Sequence, residues 1–353
     1  MYRDFTVSRF RGFLHLRIAD LARINLVTGK NDVGKTALLE ALFLHAGRNN
    51  PGLPMVVETI RGRGRFLVNA RGIWGWLFPS ADIEQVIELV ASMGSGQESR
   101  VTIRMSTAGT SLEVPSVEQG TGVSATDGGP SPELLIEYKT ETGESKVSRA
   151  YIDKGEVKVT PAESRPPYPC IYLSPRSRVD PETAERYTKL DSANRIGEVV
   201  KIIQGVDCRV KRIALGVEAG QPIFTCDIGL ETNPPLHVVG EGVNRLLQIA
   251  LAVAGAEGGL ILVDELDNGL HHSAMFGVWG EIARIAEEYN VQVVASTHSL
   301  ECIRSAYEAF RQKGDNDLAV YRLDRLEDQV SVSRYGVEDL KVLLAMEMEV
   351  RGS

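Results

Sequence analysis

The stretch Gly29-Lys30-Asn31-Asp32-Val33-Gly34-Lys35-Thr36 sets two glycines around four other residues and then offers a lysine and a hydroxyl. Residues of these types at this spacing form a cradle for phosphate. Gly29 and Gly34 let the backbone turn tightly, so that successive N–H groups from Asn31 through Ala37 point at one anion. If a helix begins here, its N-terminus adds partial positive charge to the same spot. Lys35 then reaches the β- and γ-phosphates, and the Thr36 hydroxyl is placed to hold Mg²⁺. The flanks meet the requirement. Arg23–Thr28 reads as a short buried strand, and Ala37–Leu44 as a helix that is apolar on most faces.

A second group of chemically capable residues lies more than two hundred positions on. Leu260-Ile261-Leu262-Val263 reads as a buried strand ending in Asp264 and Glu265. Asp264 is the acidic partner expected to share Mg²⁺ with Thr36 through water, and Glu265 is the candidate general base for an attacking water. Val291–Ser296 is another apolar strand, followed by Thr297-His298-Ser299. A lone histidine at a strand end is usually structural or exposed. Following a P-loop and an Asp-Glu strand in this order, His298 is the candidate contact to a γ-phosphate. Gly240-Glu241-Gly242-Val243-Asn244-Arg245 opens a helix. Free N–H groups there suit a second phosphate, with Gly242 and Asn244 as candidate contacts; a plain helix start reads equally well. His271 and His272 are adjacent and do not share a helix face, so a metal pair is not expected.

The elements that must position these groups alternate between apolar strands and helices in the two ends of the chain. That pattern predicts a mostly parallel sheet in an α/β fold. Between them, residues from about 64 to 160 change to β character. Strand-like runs occur at Phe66–Val68, Val101–Ile103, Leu134–Tyr138 and Val147–Ile152, with 82–93 ambiguous between strand and helix. Residues 107–132, rich in Gly, Ser, Thr and Pro, read as a mobile loop. The expected organisation is a core of 1–60 and 165–353 with an inserted β-rich lobe, 61–164.

Composition narrows the partners. The formal net charge of −8 argues against a chain that coats nucleic acid by charge alone. Arg61-Gly62-Arg63-Gly64-Arg65, with Arg71, Trp74 and Trp76 nearby, suits a phosphate backbone or, more simply, a solvated loop leading into a core strand. The start has no signal-peptide pattern, no apolar run is long enough to span a membrane, and Cys170, Cys208, Cys226 and Cys302 lack metal or paired spacing. A cytoplasmic protein with reduced thiols is expected.

The order of P-loop, long insertion, glycine-started helix, Val-Asp-Glu strand and Ser-Thr-His strand resembles the ABC-type ATPase heads of the SMC/RecF group. More narrowly it is similar to the ATPase module of OLD (overcoming lysogenization defect) proteins, in a single-domain form. The likeness runs over 24–44, 169–178, 240–272, 291–304 and Glu347–Arg351, and reaches the β-rich stretch only in outline. It implies a P-loop NTPase fold of ABC/SMC-head type, with ATP and Mg²⁺ as ligands. It also implies two heads closing on ATP as a homodimer or higher oligomer, each Gly240–Arg245 segment facing the partner's γ-phosphate. Coupling to DNA or to a separate effector such as a nuclease, in phage defence or DNA maintenance, follows from the same likeness.

Two departures stand out: the Ser-Gly-Gly-Gln signature is absent, and no glutamine can be assigned to the metal site. OLD proteins carry a nuclease domain with Asp-x-Asp. Here Asp315-Asn316-Asp317 follows a Lys-Gly turn, and only about fifty residues lie beyond His298, too few for another domain of ordinary size, so no nuclease is expected in this chain. A GTPase is the competing enzyme, although no Asn-Lys-x-Asp guanine-reading motif is present. A non-catalytic scaffold that binds ATP for assembly is the competing non-enzyme, and Glu265 argues against it.

Overall fold

The computed structural model describes residues 1–61, 70–106, 132–139, 143–153, 156–161, 166–175, 179–327 and 329–345. The chain opens with β1 (Tyr2–Phe10), β2 (Phe13–Ile18) and β3 (Ile24–Gly29), then runs through α1 (Lys35–Ala46), α2 (Leu53–Ile60) and α3 (Ala70–Trp74). Next come β4 (Ile87–Met93), β5 (Glu98–Ser106), β6 (Glu133–Lys139), β7 (Ser145–Asp153) and β8 (Glu156–Thr160). After β9 (Cys170–Leu173) follow α4 (Pro181–Ser192), α5 (Ile196–Gln204), the hairpin of β10 (Arg212–Glu218) and β11 (Gln221–Asp227), α6 (Leu236–Val239) and α7 (Glu241–Gly255). The last part alternates β12 (Leu260–Val263), α8 (His272–Glu288), β13 (Gln292–Ser296) and α9 (Leu300–Lys313), and closes with β14 (Leu318–Leu326), β15 (Gln329–Gly336) and α10 (Val337–Ala345).

Among the described residues the strands form three sheets. The central one has six strands in the order β15-β14-β3-β13-β12-β9, parallel except for the edge strand β15. Its inner strands are apolar without alternation because both faces are covered. Ile24, Leu26, Ile261, Val263, Val293 and Ala295 face a core built with the helices from α4 to α10. Val27, Leu260, Leu262 and Val294 face a second core that holds α1 and the antiparallel sheet. That second sheet has seven strands, β2-β1-β4-β5-β6-β7-β8, all antiparallel. Its strands alternate: Ile87, Leu89 and Ala91 are buried, as are Val101, Ile103 and Met105. The third is the β10–β11 hairpin.

α1 lies between the two large sheets, which explains why its sequence shows no polar face. Leu38, Leu39, Ala41, Leu42, Leu44 and Ala46 are all buried. A fully buried leucine contributes roughly 1.5–3 kcal/mol, so the helix that starts at the phosphate loop is among the most firmly held elements. The strands expected as an inserted lobe extend a sheet begun by β1 and β2, which lie on the other side of the expected boundary at residue 61.

The ambiguous stretch 82–93 becomes strand from Ile87. Phe66–Val68, nearly all of 107–132 and Glu347–Arg351 lie outside the described residues. The four cysteines are free thiols. Among the described residues no helix is long and apolar enough to cross a membrane.

Candidate functional site

In a parallel sheet the loops at the carboxyl ends of the strands share one edge, and ligands bind there. β13 lies between β3 and β12, pairing Leu26 with Ala295 and Val294 with Leu262. The loops after these three strands therefore meet. They carry Lys35 and Thr36, His298, and Asp264 and Glu265 respectively. A direct link across the set is made by Thr36 Oγ1, which donates to Asp264 Oδ2 at 2.9 Å although 228 positions separate the two residues.

The phosphate loop has the shape its glycines permit. Gly29 and Gly34 have φ of 141° and 108°, a region that side chains with a Cβ rarely enter. A Cβ on Gly34 would also meet the Phe13 ring at 2.6 Å, so β2 closes the loop from above. Asp32, at φ 63°, is the non-glycine residue that takes the left-handed turn. Lys35 folds over the loop, donating to the carbonyls of Gly29 and Lys30, both at 2.8 Å. Burial lowers its pKa, while Asp264 and Glu265 act in the opposite sense. Val33 turns its side chain into the core.

Glu265 has φ 48°, an uncommon backbone state for a glutamate and one that needs external support. Ser296 supplies part of it. Its hydroxyl donates to Asp264 Oδ1 at 2.5 Å and accepts the Glu265 N–H at 2.8 Å. Arg245 supplies the rest: its guanidinium donates to the carbonyls of Asp264 at 2.6 Å and Ser174 at 2.8 Å. Arg245 thus anchors the turn after β12 from beneath, and α7 is tied to the acidic pair.

These loops enclose a cavity of about 550 Å³, within the range of small-molecule sites. Asn31, Asp32, Gly34, Lys35, Thr36, Ala37, Asp264, Glu265 and His298 all line it, so most of the residues expected from sequence converge. His298 is exposed at its mouth. Arg11, Gly12, Arg61, Ser296 and Arg325 line it as well, and sequence reasoning assigned none of them there. Ser296 carried a local signal in the Ser-Thr-His run. Arg11 and Arg325 carried none, since they arrive from a hairpin turn and from the distant β14.

Other expected contacts lie elsewhere. Gly242 packs on the backbone of Gly269, and Asn244 lines a separate hollow with Glu218, His237 and Glu241. Within one chain this segment does not reach the phosphate loop cavity. His271 caps α8 by accepting the Ser273 N–H and stacks on His272 with ring centres 4.1 Å apart. Asp317 accepts from the Arg23 backbone and pairs with its guanidinium at the start of β3, the end of the sheet opposite the cavity. Arg61 pairs with Glu40, Trp74 is buried and Trp76 is exposed. Arg63 and Arg65 lie outside the described residues.

The donor set suits one hard divalent cation. Magnesium takes few protein oxygens and keeps water and phosphate as its other ligands. Thr36 Oγ1 and Asp264 supply such oxygens side by side. Among the described residues no group of three or more His, Cys, Asp or Glu forms an all-protein metal cage.

Residues 143–304, just under half of the chain, match the model of a family described as "AAA domain, putative AbiEii toxin, Type IV TA system". The match begins beyond the phosphate loop and includes the acidic strand and His298. A curated protein of Helicobacter pylori named ATP/GTP phosphatase is 21% identical over 337 residues, which cover 89% of each chain. Among solved structures, an SMC head bound to the C-winged helix domain of ScpA has a TM-score of 0.49 at 11% identity, covering 98% of this chain and 99% of its own. The SMC head domain of Thermotoga maritima gives 0.42 at 11% identity, covering 95% and 98%. The phosphate loop joins β3 to α1 at the edge of a mostly parallel sheet, the arrangement of a P-loop NTPase, and a large antiparallel sheet lies beside it.

Proposed function

We propose that this chain binds ATP with Mg²⁺ and hydrolyses it, and that two copies close on the nucleotide to signal its state to DNA or to a separate effector. The observation that carries the reading is the Thr36–Asp264 contact inside a cavity also lined by Lys35, Glu265 and His298. Residues suited to hold phosphate, to hold a cation and to act as base therefore stand close together, which supports a phosphoryl-transfer site. The family match and the printed name of the curated relative agree with a triphosphate-hydrolysing enzyme. The narrower OLD-like assignment rests on the order of the motifs.

In this reading the loop N–H groups and Lys35 hold the β- and γ-phosphates, replacing the two carbonyls that Lys35 now contacts. Thr36 and Asp264 would hold Mg²⁺, which when bound would supply positive charge against the phosphates. Glu265 takes a proton from a water whose oxygen attacks the γ-phosphorus. The bond from that phosphorus to the bridging oxygen breaks, and the electron pair leaves with ADP. His298 donates a hydrogen bond to a γ-phosphate oxygen. Ser296 and Arg245 keep the acidic turn in its strained shape throughout.

The Gly240–Arg245 segment is the surface assigned to the partner. α7 starts there without a side-chain cap, so its first N–H groups are available to an anion. With no signature serine, Asn244 and those N–H groups make the trans contact. Phage defence and DNA maintenance are the biological settings this reading leads to.

The test is phosphate release from Mg-ATP, with GTP as competitor because the curated relative is named for both nucleotides. Glu265→Gln is expected to cut turnover by about 10²–10⁴-fold, to leave ATP affinity intact, and to trap an ATP-dependent dimer on size exclusion. Unchanged turnover would remove Glu265 from the role of base. Strong preference for GTP would replace the ATPase reading.

A further inference from the structure

Glu40 lies in α1 between the phosphate loop and the antiparallel sheet, and its side chain is completely buried. A carboxylate there has lost its water, and burial raises its pKa. Two arginines oppose that. Arg61 grips it bidentately, Nε to Oε1 at 2.6 Å and Nη2 to Oε2 at 3.0 Å. Arg11 Nε stands 2.7 Å from the same Oε2, and Arg11 Nη2 donates to Glu58 at 2.9 Å. Arg11 comes from the β1–β2 turn, while Glu58 belongs to α2 and Arg61 caps it. Two separate segments, the β1–β2 turn and α2, therefore meet at one carboxylate on the helix that the phosphate loop begins.

Stability alone is a weak account of such a cluster, because buried ion pairs are often no better than apolar residues of the same volume. What the cluster does fix is geometry. Arg11 and Arg61 both line the cavity that holds Lys35 and Thr36. Arg61, held by Glu40 along its Nε–Nη2 edge, keeps Nη1 as a donor for a further acceptor, and Arg11 Nη1, which donates to the Trp76 carbonyl at 3.4 Å, has a second N–H to offer. We infer that Glu40 is a positioning residue for triphosphate recognition, aiming the Arg11 and Arg61 guanidinium groups at the phosphate chain. This rests on the cavity's being a nucleoside triphosphate site.

The prediction is selectivity by phosphate number. Binding of AMP, ADP and a non-hydrolysable ATP analogue with Mg²⁺ would be measured for the wild type, Glu40→Gln, Arg61→Gln and the double variant. Glu40→Gln is expected to weaken the triphosphate about tenfold and AMP less than about twofold, as loss of one charge-assisted contact would do. Arg61→Gln, at a half-exposed position, tests the same link without touching the core and is expected to show the same selective loss. The double variant is expected to lose less than the two single losses combined, because Glu40 acts in part through Arg61. Equal loss for all three nucleotides, or tighter triphosphate binding in Glu40→Gln, overturns the inference. A wild type that binds none of the three overturns the nucleotide-site reading as well, whereas a binding wild type with unselective variants overturns this inference alone.

Discussion

The two large sheets of this molecule obey different rules. The parallel sheet is apolar on both faces and sends its chemistry to one edge: the loops after β3, β12 and β13 carry Lys35, Thr36, Asp264, Glu265 and His298. The antiparallel sheet is apolar on alternate residues, lies against α1, and reaches the cavity through the β1–β2 turn with Arg11 and Gly12. Parallel strands need long crossovers, so their carboxyl ends bring together residues far apart in sequence. Antiparallel strands joined by short turns bring together mainly neighbours. The difference teaches that one sheet assembles the site while the other roofs the helix that leads from it.

The sharpest test of this division is Lys35→Ala. Loss of the lysine from the phosphate loop is expected to abolish measurable phosphate release, by at least about 10³-fold given the scale of charge stabilisation at such sites, while circular dichroism stays native. Turnover within tenfold of wild type would remove the parallel-sheet edge as the reaction centre.

A matched pair of core truncations compares the sheets directly. Leu262 in β12 and Leu89 in β4 are both fully buried. Each change to alanine is expected to cost about 2–5 kcal/mol of unfolding free energy in denaturant titrations. Leu262→Ala is also expected to lower the turnover of folded protein, since Asp264 and Glu265 follow that strand directly, whereas Leu89→Ala leaves it near wild type. Equal effects on turnover would show that the antiparallel sheet positions the site as well.

The smallest effect concerns the seam between α1 and the antiparallel sheet. His45 is buried there, with Tyr2 Oη 2.8 Å from its Nδ1 and the Ser99 carbonyl 3.2 Å from its Nε2. A carbonyl can only accept, so the neutral ring donates from Nε2 and accepts from Tyr2. Burial chiefly, and then the charge of Arg48, lower its pKa from 6.5 to about 3. The unfolded chain therefore takes up a proton near pH 6.5 that the folded chain refuses until about 3. Stability is complete above the unfolded value and falls with pH below it by about 1.4 kcal/mol per unit, or roughly 2 kcal/mol at pH 5. Denaturation midpoints at pH 7.5 and 5 are expected to differ less in His45→Gln. An identical difference would assign the acid sensitivity to other groups.

The residues legible in sequence were those whose neighbours in the chain already define their geometry. Gly29–Thr36 declared itself because a phosphate cradle is a local backbone shape, and Asp264-Glu265 and His298 because each ends an apolar strand. The helix that Gly240–Arg245 opens was legible for the same reason. Arg11, Arg61 and Arg325 were not, because nothing within a few residues of them signals a cavity. Glu40 was hidden for another reason: in an apolar helix a single glutamate reads as an exposed position, and only the sheet lying over α1 buries it.

By itself, then, the sequence determined the types of the candidate site groups and the elements that carry them, since loop, strand and helix signals act over a few residues. Tertiary structure alone decided that Thr36 touches Asp264, that Ser296 and Arg245 hold Glu265 at φ 48°, and that two arginines from separate turns share one buried carboxylate. Those facts depend on strand order and on which surfaces bury one another. Both are set by packing between segments hundreds of residues apart, for which a linear pattern carries no local trace.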